Sequence, residues 1–180
     1  MTVMLDPVVL TLLAGAFALL LGSAALHKAR DLAVFGELLR AYRVLPAGLA
    51  LPWLVPLLEL ALAALLLPPA TRAASALAGC ALLVLYALAI ALNLARGRRA
   101  LACGCGGANE RRPIAPWMVW RNSLIALVLV GALAPWGARP LGFTDAVTVV
   151  FGLLTVALIY LCIDQLMGNV QRAAHLRGSR

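Results

Sequence analysis

The stretch from residue 8 to residue 26, VVLTLLAGAFALLLGSAAL, decides the fold, because it contains no charged residue. At ~1.5 Å per helical residue, a run of this length spans most of the ~30 Å hydrocarbon core of a bilayer. The leading segment MTVMLD has no Lys or Arg, and the apolar run is too long for the core of a cleaved signal peptide. We therefore expect a retained membrane span.

The composition extends this expectation to the whole chain. Of the 180 residues, 64% are hydrophobic and 12% are charged, and the mean hydropathy is +0.99. Four further apolar runs cover residues 47–67, 73–93, 114–134 and 144–167. Lipid offers no hydrogen bonds to the backbone, and the runs lack the alternation of a membrane β-barrel. The sequence predicts an all-α, polytopic membrane bundle of about five transmembrane helices, forming a single domain over residues 1–180.

The distribution of Lys and Arg predicts the orientation. The basic residues of the first loop, the third loop and the C-terminal tail are Lys28, Arg30, Arg40, Arg43, Arg96, Arg98, Arg99, Arg111, Arg112, Arg172, Arg177 and Arg180. The second and fourth loops carry only Arg72 and Arg139. This alternation predicts an external N-terminus and a cytoplasmic C-terminus. The net charge of +8 is then a topology signal with an attraction to anionic lipid, and it gives no support to nucleic-acid binding.

The segment KARDLAVFGELLRAYRVLP, residues 28–46, is too poor in apolar residues to cross a bilayer. Leu32, Phe35, Leu39 and Tyr42 recur at helical spacing, with polar residues between them. The pattern predicts one amphipathic helix. It fits a helix lying along the lipid interface and a solvated linker helix equally well.

Several polar residues fall inside or at the ends of the predicted spans, where they are energetically unfavourable and therefore informative. They are Glu59, Asn93, Arg121, Asn122 and Asp164. All of them are expected to converge beneath the third loop. One hypothesis is that Glu59 and Arg121 pair to hold the bundle, with the two asparagines as interhelical hydrogen-bonding groups. The other is that Glu59, Asn93, Arg121 and Asn122 line a cavity beside a redox centre.

The third loop, ALACGCGGANERR at residues 100–112, places Cys103 and Cys105 one glycine apart. Glycines on either side permit backbone conformations that a Cβ would forbid. Neighbouring arginines favour the thiolate, and a Cys-x-Cys disulfide closes a small, exchangeable ring. These features favour redox chemistry with Cys103 and Cys105 as the catalytic pair. A soft-metal site and an inert loop are the alternatives, although a complete zinc site needs four ligands.

The other two cysteines, Cys80 and Cys162, lie within predicted spans. Cys80, near the outer end of its span, is expected to be a small buried apolar residue. Cys162 has the depth of the thiol loop, so it could be a resolving partner. Buried packing is the simpler expectation for it.

Four stretches of the chain, in order and spacing, resemble a known family. They are GSAALHKARDLAVFGELLRAYRVLP at 22–46, LVPLLELALAALLL at 54–67, NLARGRRALACGCGG at 93–107 and MVWRNSLIALV at 118–128. Together they resemble the MauE family of bacterial membrane proteins, relatives of the DoxX-like group. The similarity covers a four-helix core at about residues 8–135, to which an additional fifth helix is joined at about 144–167. The most specific elements are Lys28 to Asp31, Glu59, the Cys-Gly-Cys pair, and Arg121 with Asn122.

The resemblance implies a multi-pass protein of the bacterial inner membrane with a role in methylamine utilisation. MauE-like proteins are thought to support maturation of a periplasmic enzyme subunit rich in disulfides, alongside a thioredoxin-like partner. The charge pattern nevertheless places Cys103 and Cys105 on the cytoplasmic face. Either the pair takes electrons from a cytoplasmic thioredoxin-like donor and passes them to Cys80, a quinone or an outer partner, or the orientation is inverted. The charge asymmetry favours the first arrangement.

The leading hypothesis is a membrane thiol–disulfide oxidoreductase whose redox-active disulfide joins Cys103 and Cys105. A quinone is one candidate electron acceptor. The alternative is a non-catalytic membrane subunit, or a transporter binding a small solute or a metal, in which the polar cluster holds a ligand and the thiols are incidental.

Overall fold

The computed structural model of the chain describes residues 6–44, 51–103, 113–133 and 139–178. In these ranges six α-helices follow one another: α1 Pro7–Arg30, α2 Leu32–Tyr42, α3 Leu54–Leu65, α4 Pro69–Ala95, α5 Pro116–Val130 and α6 Phe143–Gly178. A 3-10 turn, Gly131–Leu133, extends α5. The predicted helical membrane bundle is confirmed.

Four stretches of helix are long and apolar enough to cross a membrane: Pro7–Arg30, Pro69–Ala95, Pro116–Leu133 and Phe143–Gln171. They correspond to the first, third, fourth and fifth predicted spans. The second predicted span, 47–67, contains the shorter helix α3, which has 12 residues. A helix of this length extends about 18 Å, well short of ~30 Å of hydrocarbon. Residues 47–50 of that span lie outside the described residues.

Proline and arginine set the limits of α3. Pro56 lies in its first turn, where a missing N–H leaves no intrahelical hydrogen bond unmade. Beyond its end, Arg72 donates from Nε to the carbonyl of Leu66 at 3.2 Å and from Nη2 to that of Leu67 at 2.9 Å. Arg72, counted above as an outer-loop charge, is a buried residue that satisfies carbonyls at the end of α3.

The helices alternate in direction through the bundle. Ser75 of α4 donates to the carbonyl of Leu62 in α3 at 2.8 Å, and Gly79 of α4 approaches Leu129 of α5. These contacts join the early half of one helix to the late half of its neighbour. Helix α4 therefore runs opposite to α3 and α5. Lys28 pairs with Glu59 while the earlier Gly22 approaches the later Ala63, so α1 also runs opposite to α3. The ion pair of Asp6 with Arg139 brings the beginnings of α1 and α6 to the same end.

Apolar side chains from α1, α3, α4 and α5 form the core. Leu10, Leu21, Leu66 and Leu129 are almost completely inaccessible. Helix α6 is peripheral, since no residue in its most apolar stretch of 18 residues is buried against the rest of the protein. It packs mainly against α1, where a Cβ on Gly152 would lie 2.8 Å from Leu12 Cδ1. A side chain at this position would require Leu12 to shift.

The amphipathic helix predicted between the first two spans is confirmed as α2. Asp31 caps it by accepting from the N–H of Val34 at 3.0 Å, and Arg43 ends it in the left-handed conformation at φ 49°. Phe35 is buried on its inner face, whereas Leu32 is 38% exposed. Helix α2 therefore lies across the end of the bundle at which α1 finishes.

The two ends of the thiol loop are fastened together at this same end of the bundle. Ala102 forms an isolated antiparallel bridge with Pro113, and the N–H of Ile114 donates to the carbonyl of Leu101 at 2.8 Å. Cys103 follows directly after the bridge. Its position is thus fixed relative to the end of α4 and the beginning of α5.

Candidate functional site

A buried ion pair between α1 and α3 lies at the centre of the site. Lys28 Nζ and Glu59 Oε1 are 2.5 Å apart, with side chains 7% and 1% exposed. The hydroxyl of Tyr86 in α4 donates to the same carboxylate oxygen at 2.8 Å. Lys28 Nζ also lies 5.3 Å from the centroid of the Tyr86 ring and 5.8 Å from that of Phe35. Three helices and α2 thus converge on one carboxylate and one ammonium.

A second ion pair lies between α5 and α6. Arg121 Nη1 is 3.0 Å from Asp164 Oδ1, with side chains 14% and 23% exposed. The guanidinium carbon lies 5.1 Å from the centroid of the Trp117 ring, one helical turn earlier. The predicted pairing of Glu59 with Arg121 is therefore wrong, because each has an oppositely charged partner of its own.

Lys28 and Tyr86 are the site residues that the sequence reasoning missed. Lys28 was counted as a loop charge because it follows the apolar run and neighbours Arg30. A usable signal was present in α1, whose buried residues Leu10, Ala14, Phe17, Leu21, Ala25 and Lys28 recur every three or four positions. This spacing defines one helix face, and Lys28 is its last member.

Asn93 has a structural role at the end of α4. Its Nδ2 donates to the carbonyls of Tyr42 at 3.1 Å and Ala89 at 2.9 Å, and its Oδ1 accepts from Arg98 Nη1 at 2.9 Å. The side chain joins α2 to α4 with its hydrogen-bonding groups occupied. Asn93 is not among the residues that line the polar cavity described below, contrary to the prediction.

Cys103 is disulfide-bonded, and its backbone is held by α2. The Tyr42 hydroxyl donates to the carbonyl of Ala102 at 3.1 Å and approaches that of Cys103 at 3.4 Å. Burial raises the pKa of Tyr42 to about 12, so its hydroxyl keeps its proton at neutral pH. The second predicted catalytic residue, Cys105, lies outside the described residues.

The other two cysteines are free thiols. Cys80 lies between α4 and α5, where its Sγ contacts the carbonyl of Ala126 at 3.5 Å, in line with the packing role predicted for it. Cys162 is exposed on α6, so its predicted burial is wrong. Its neighbours Leu161 and Asp164 line the cavity next to the ion pairs, whereas Cys162 does not.

A cavity of about 330 Å³ connects these features; it is called the polar cavity here because charged and polar side chains stand among the apolar ones on its wall. Its wall includes Lys28, Glu59, Tyr86, Cys103, Arg121 and Asn122. Three of the four residues predicted to line a cavity therefore do so, together with one of the two predicted catalytic cysteines. Buried polar groups therefore converge next to Cys103 in the folded chain.

Three buried polar atoms on this wall have no hydrogen-bond partner within the described part of the chain. They are Glu59 Oε2, Arg121 Nε and Asn122 Nδ2. Buried polar groups in folded proteins are normally paired with protein groups or water, and leaving one unpaired is unfavourable by about 1–3 kcal/mol. Three residues of the cavity wall thus each keep one buried polar atom without a partner in the described part of the chain.

A second cavity of about 260 Å³ adjoins the first beneath α2. It shares Lys28, Tyr86 and Cys103 with the polar cavity, and most of its other wall residues are apolar, among them Phe35, Leu39, Leu85, Ala89 and Ile90. Cys103 therefore borders both a polar and an apolar space. Among the described residues, no group of three or more His, Cys, Asp or Glu is placed to hold a metal ion.

Comparison with known proteins gives a consistent result. The family model described as "Methylamine utilisation protein MauE" matches residues 6–137. A methylamine utilization protein MauE from Methylorubrum extorquens is 38% identical over 164 residues, covering 89% of this chain and 88% of the relative. The protein of the same name from Paracoccus denitrificans is 34% identical over 168 residues, covering 92% of this chain and 90% of the relative. No solved structure matches significantly.

Proposed function

The chain belongs to the MauE family, and from this membership and the geometry of the polar cavity we propose that it is a membrane thiol–disulfide redox protein. Cys103 and Cys105 are the exchanging pair. The observation that carries the proposal is that Cys103, already in a disulfide, lies on the wall of a cavity containing Lys28, Glu59 and Arg121. Charged groups buried in a membrane protein are rarely retained without a functional reason.

We propose Cys105 as the exchange partner of Cys103, from the Cys-Gly-Cys spacing in the sequence. The chain has four cysteines, and Cys80 and Cys162 are free thiols. When a partner dithiol reduces the disulfide of this pair, two electrons and two protons pass to the two cysteine sulfurs, and the partner becomes a disulfide. The short Cys-Gly-Cys spacing favours ready exchange because small disulfide rings are strained.

Contacts at the two ends of the reacting loop support such exchange. Tyr42 anchors the backbone at Ala102 and Cys103, and the bridge between Ala102 and Pro113 closes the base of the loop. Arg98, held by Asn93, donates from Nη2 to the carbonyl of Ala41 at 2.6 Å. These contacts place a positive charge near the thiol end of the bundle, where it favours a thiolate.

We further propose that the protein serves maturation of a disulfide-rich periplasmic partner, with a thioredoxin-like protein as redox partner, as part of methylamine utilisation. The relatives are named methylamine utilization proteins. The proposed location is the bacterial inner membrane, with the N-terminus outside, the C-terminus inside and Cys103 at the cytoplasmic end. Three basic residues, Arg30, Arg43 and Arg96, lie in segments at the Cys103 end of the bundle, and basic residues favour the cytoplasmic side. Lys28 is buried, so it does not add to the positive charge of the first loop.

A second candidate function is a non-catalytic subunit or a small-solute transporter. The observation in its favour is the cavity of about 330 Å³, whose charged and polar wall residues suit a small solute without any thiol chemistry. In that case Cys103 would be a wall residue only.

Serine replacements separate these functions. We expect Cys103→Ser and Cys105→Ser to differ in kind: loss of the nucleophile abolishes exchange, whereas loss of the resolving cysteine traps a mixed disulfide with the partner. Cys162→Ser is the matched control, because Cys162 is exposed and lies outside the cavity wall. If both serine variants leave partner maturation intact and trap no mixed disulfide, the redox function falls and the subunit or transporter function is favoured. Stoichiometric zinc or copper in the purified wild-type protein would identify a metal site instead.

A further inference from the structure

The two adjoining cavities form a compartment with a polar part and an apolar part, and Cys103 lies on both walls. We propose that this compartment binds an isoprenoid quinone. Its head group occupies the polar cavity beside Cys103, and its tail follows the apolar cavity beneath α2. The inference deepens the proposed function and rests on it, because it names the electron acceptor of the thiol pair.

The polar wall matches the hydrogen-bonding capacity of a quinone head group. A quinone ring carries two carbonyl acceptors and no donor, and the wall contains two residues with donor groups, Arg121 and Asn122, each of which has one buried N–H-bearing nitrogen without a described partner. Asn122 is 4% exposed, so bulk water has little access to it. The reduced quinol gains two O–H donors, and the carboxylate of the wall residue Glu59 is an acceptor group. The wall therefore has groups for both oxidation states.

The charges of the cavity favour a neutral ligand. Lys28 is paired with Glu59, and Arg121 is paired with Asp164. Apart from His27, which also lines the cavity, its cations are matched by carboxylates, so an anionic head group would enter a low-dielectric site in which Lys28 and Arg121 already have partners, which is unfavourable. A quinone avoids this penalty. The volume of about 330 Å³ lies within the range of small-molecule sites, roughly 300–1,000 Å³.

The apolar cavity supplies a place for the tail. It shares Lys28, Tyr86 and Cys103 with the polar cavity, and aliphatic residues of α2 and α4 form much of the remaining wall. Lys28 and Tyr86 thus lie at the junction of the two spaces. A ligand that is polar at one end and hydrocarbon at the other fits this arrangement better than a uniformly polar solute.

The proposed reaction balances with a quinone as oxidant. The thiols of Cys103 and Cys105 lose two electrons and two protons and form one S–S bond. The quinone gains both electrons, and each of its carbonyl oxygens gains one proton, giving a quinol. The pair can then accept electrons from a further dithiol.

The test uses the full-length protein in nanodiscs, with short-chain ubiquinone as the probe. Asn122→Leu removes a donor while preserving approximate volume, and we expect about fivefold weaker binding from the loss of one hydrogen bond. Ala89→Phe fills the apolar cavity and should weaken binding about tenfold or more. Ala81→Phe, on the exposed face of the same helix, is the matched control and should bind like wild type.

Binding and chemistry are then read separately. Anaerobic addition of quinone to the reduced protein should yield one quinol for every two maleimide-reactive thiols lost. Unchanged binding in either Asn122→Leu or Ala89→Phe, or a compartment that retains phospholipid and takes up no quinone, overturns the inference. If quinone fails to bind while Cys103 still exchanges with dithiothreitol, only the quinone assignment falls. If quinone binds but the thiols never react with it or with dithiols, the proposed redox function falls.

Discussion

Replacing the two members of the Lys28–Glu59 pair, singly and together, tests whether this buried pair is a coupled unit. Lys28→Met would leave the Glu59 carboxylate, 1% exposed, with the Tyr86 hydroxyl as its remaining described partner. Removing one member of a buried pair typically lowers the free energy of unfolding by about 3–5 kcal/mol. We expect that loss for Lys28→Met.

Glu59→Gln should be somewhat milder than Lys28→Met. The stranded ammonium of Lys28 still faces the rings of Phe35 and Tyr86 at 5.8 and 5.3 Å, and such contacts contribute about 0.5–2 kcal/mol. The double variant Lys28→Met/Glu59→Gln has no stranded charge, and its glutamine keeps an acceptor for Tyr86. Its free energy of unfolding should lie within about 2 kcal/mol of wild type.

The assay is equilibrium unfolding of the four proteins in bicelles by titration with SDS, followed by tryptophan fluorescence. Arg139→Met is the matched control, because it removes a cation from an ion pair that is about half exposed, and its effect should be much smaller. A double variant whose loss equals the sum of the two single losses would refute the coupling of Lys28 with Glu59.

Three further predictions concern the thiol end and the opposite end of the bundle. A membrane-impermeant maleimide applied to intact spheroplasts, after reduction with a permeant reductant, should miss Cys103 until the membrane is permeabilised; labelling from outside would reverse the proposed orientation. Tyr42→Phe removes the donor that holds the thiol loop and should lower stability by about 1 kcal/mol while increasing hydrogen exchange of the Cys103 segment; an unchanged exchange rate would contradict the anchoring role. Hydrogen bonding to Arg139 lowers the pKa of Asp6 below its ordinary value of 3.8, so the stabilisation from this pair is present above pH 3.8 and is lost as the pH falls through the lower folded-state pKa. The difference in melting temperature between wild type and Arg139→Gln should accordingly persist at pH 5 and shrink in stronger acid, and a constant difference would argue against the pair.

Most of the architecture could be predicted from the sequence because lipid imposes strong requirements on it. The apolar runs had to be helices, and the periodicity of Leu32, Phe35 and Tyr42 indicated α2. The length of α3 was overestimated because hydropathy does not distinguish helix from adjoining apolar turn. Pro68 and Pro69 mark the boundary between α3 and α4, and they lie just outside the predicted end of that span.

The composition of the site was more predictable than its pairing. Depth along each span placed Glu59, Arg121 and Asn122 near the thiol loop, and the cavity wall contains all three. Which charge meets which depends on the rotation and neighbours of each helix, and hydropathy carries no information on either. Lys28 and Asp164 are the actual partners. Lys28 could have been recognised from the α1 face that it completes.

The central claim, that Cys103 and Cys105 form an exchanging disulfide, is tested most directly by a redox titration of the full-length protein. The protein is equilibrated in buffers with different ratios of oxidised to reduced dithiothreitol. Its free thiols are then labelled with maleimide and counted by mass spectrometry. We predict that Cys103 and Cys105 are oxidised and reduced together as a two-electron couple. The ratio of disulfide to dithiol should then change tenfold for every ~30 mV of applied potential, while Cys80 and Cys162 remain reduced throughout. A pair that stays reduced at every potential, or two thiols that oxidise independently, would contradict the account.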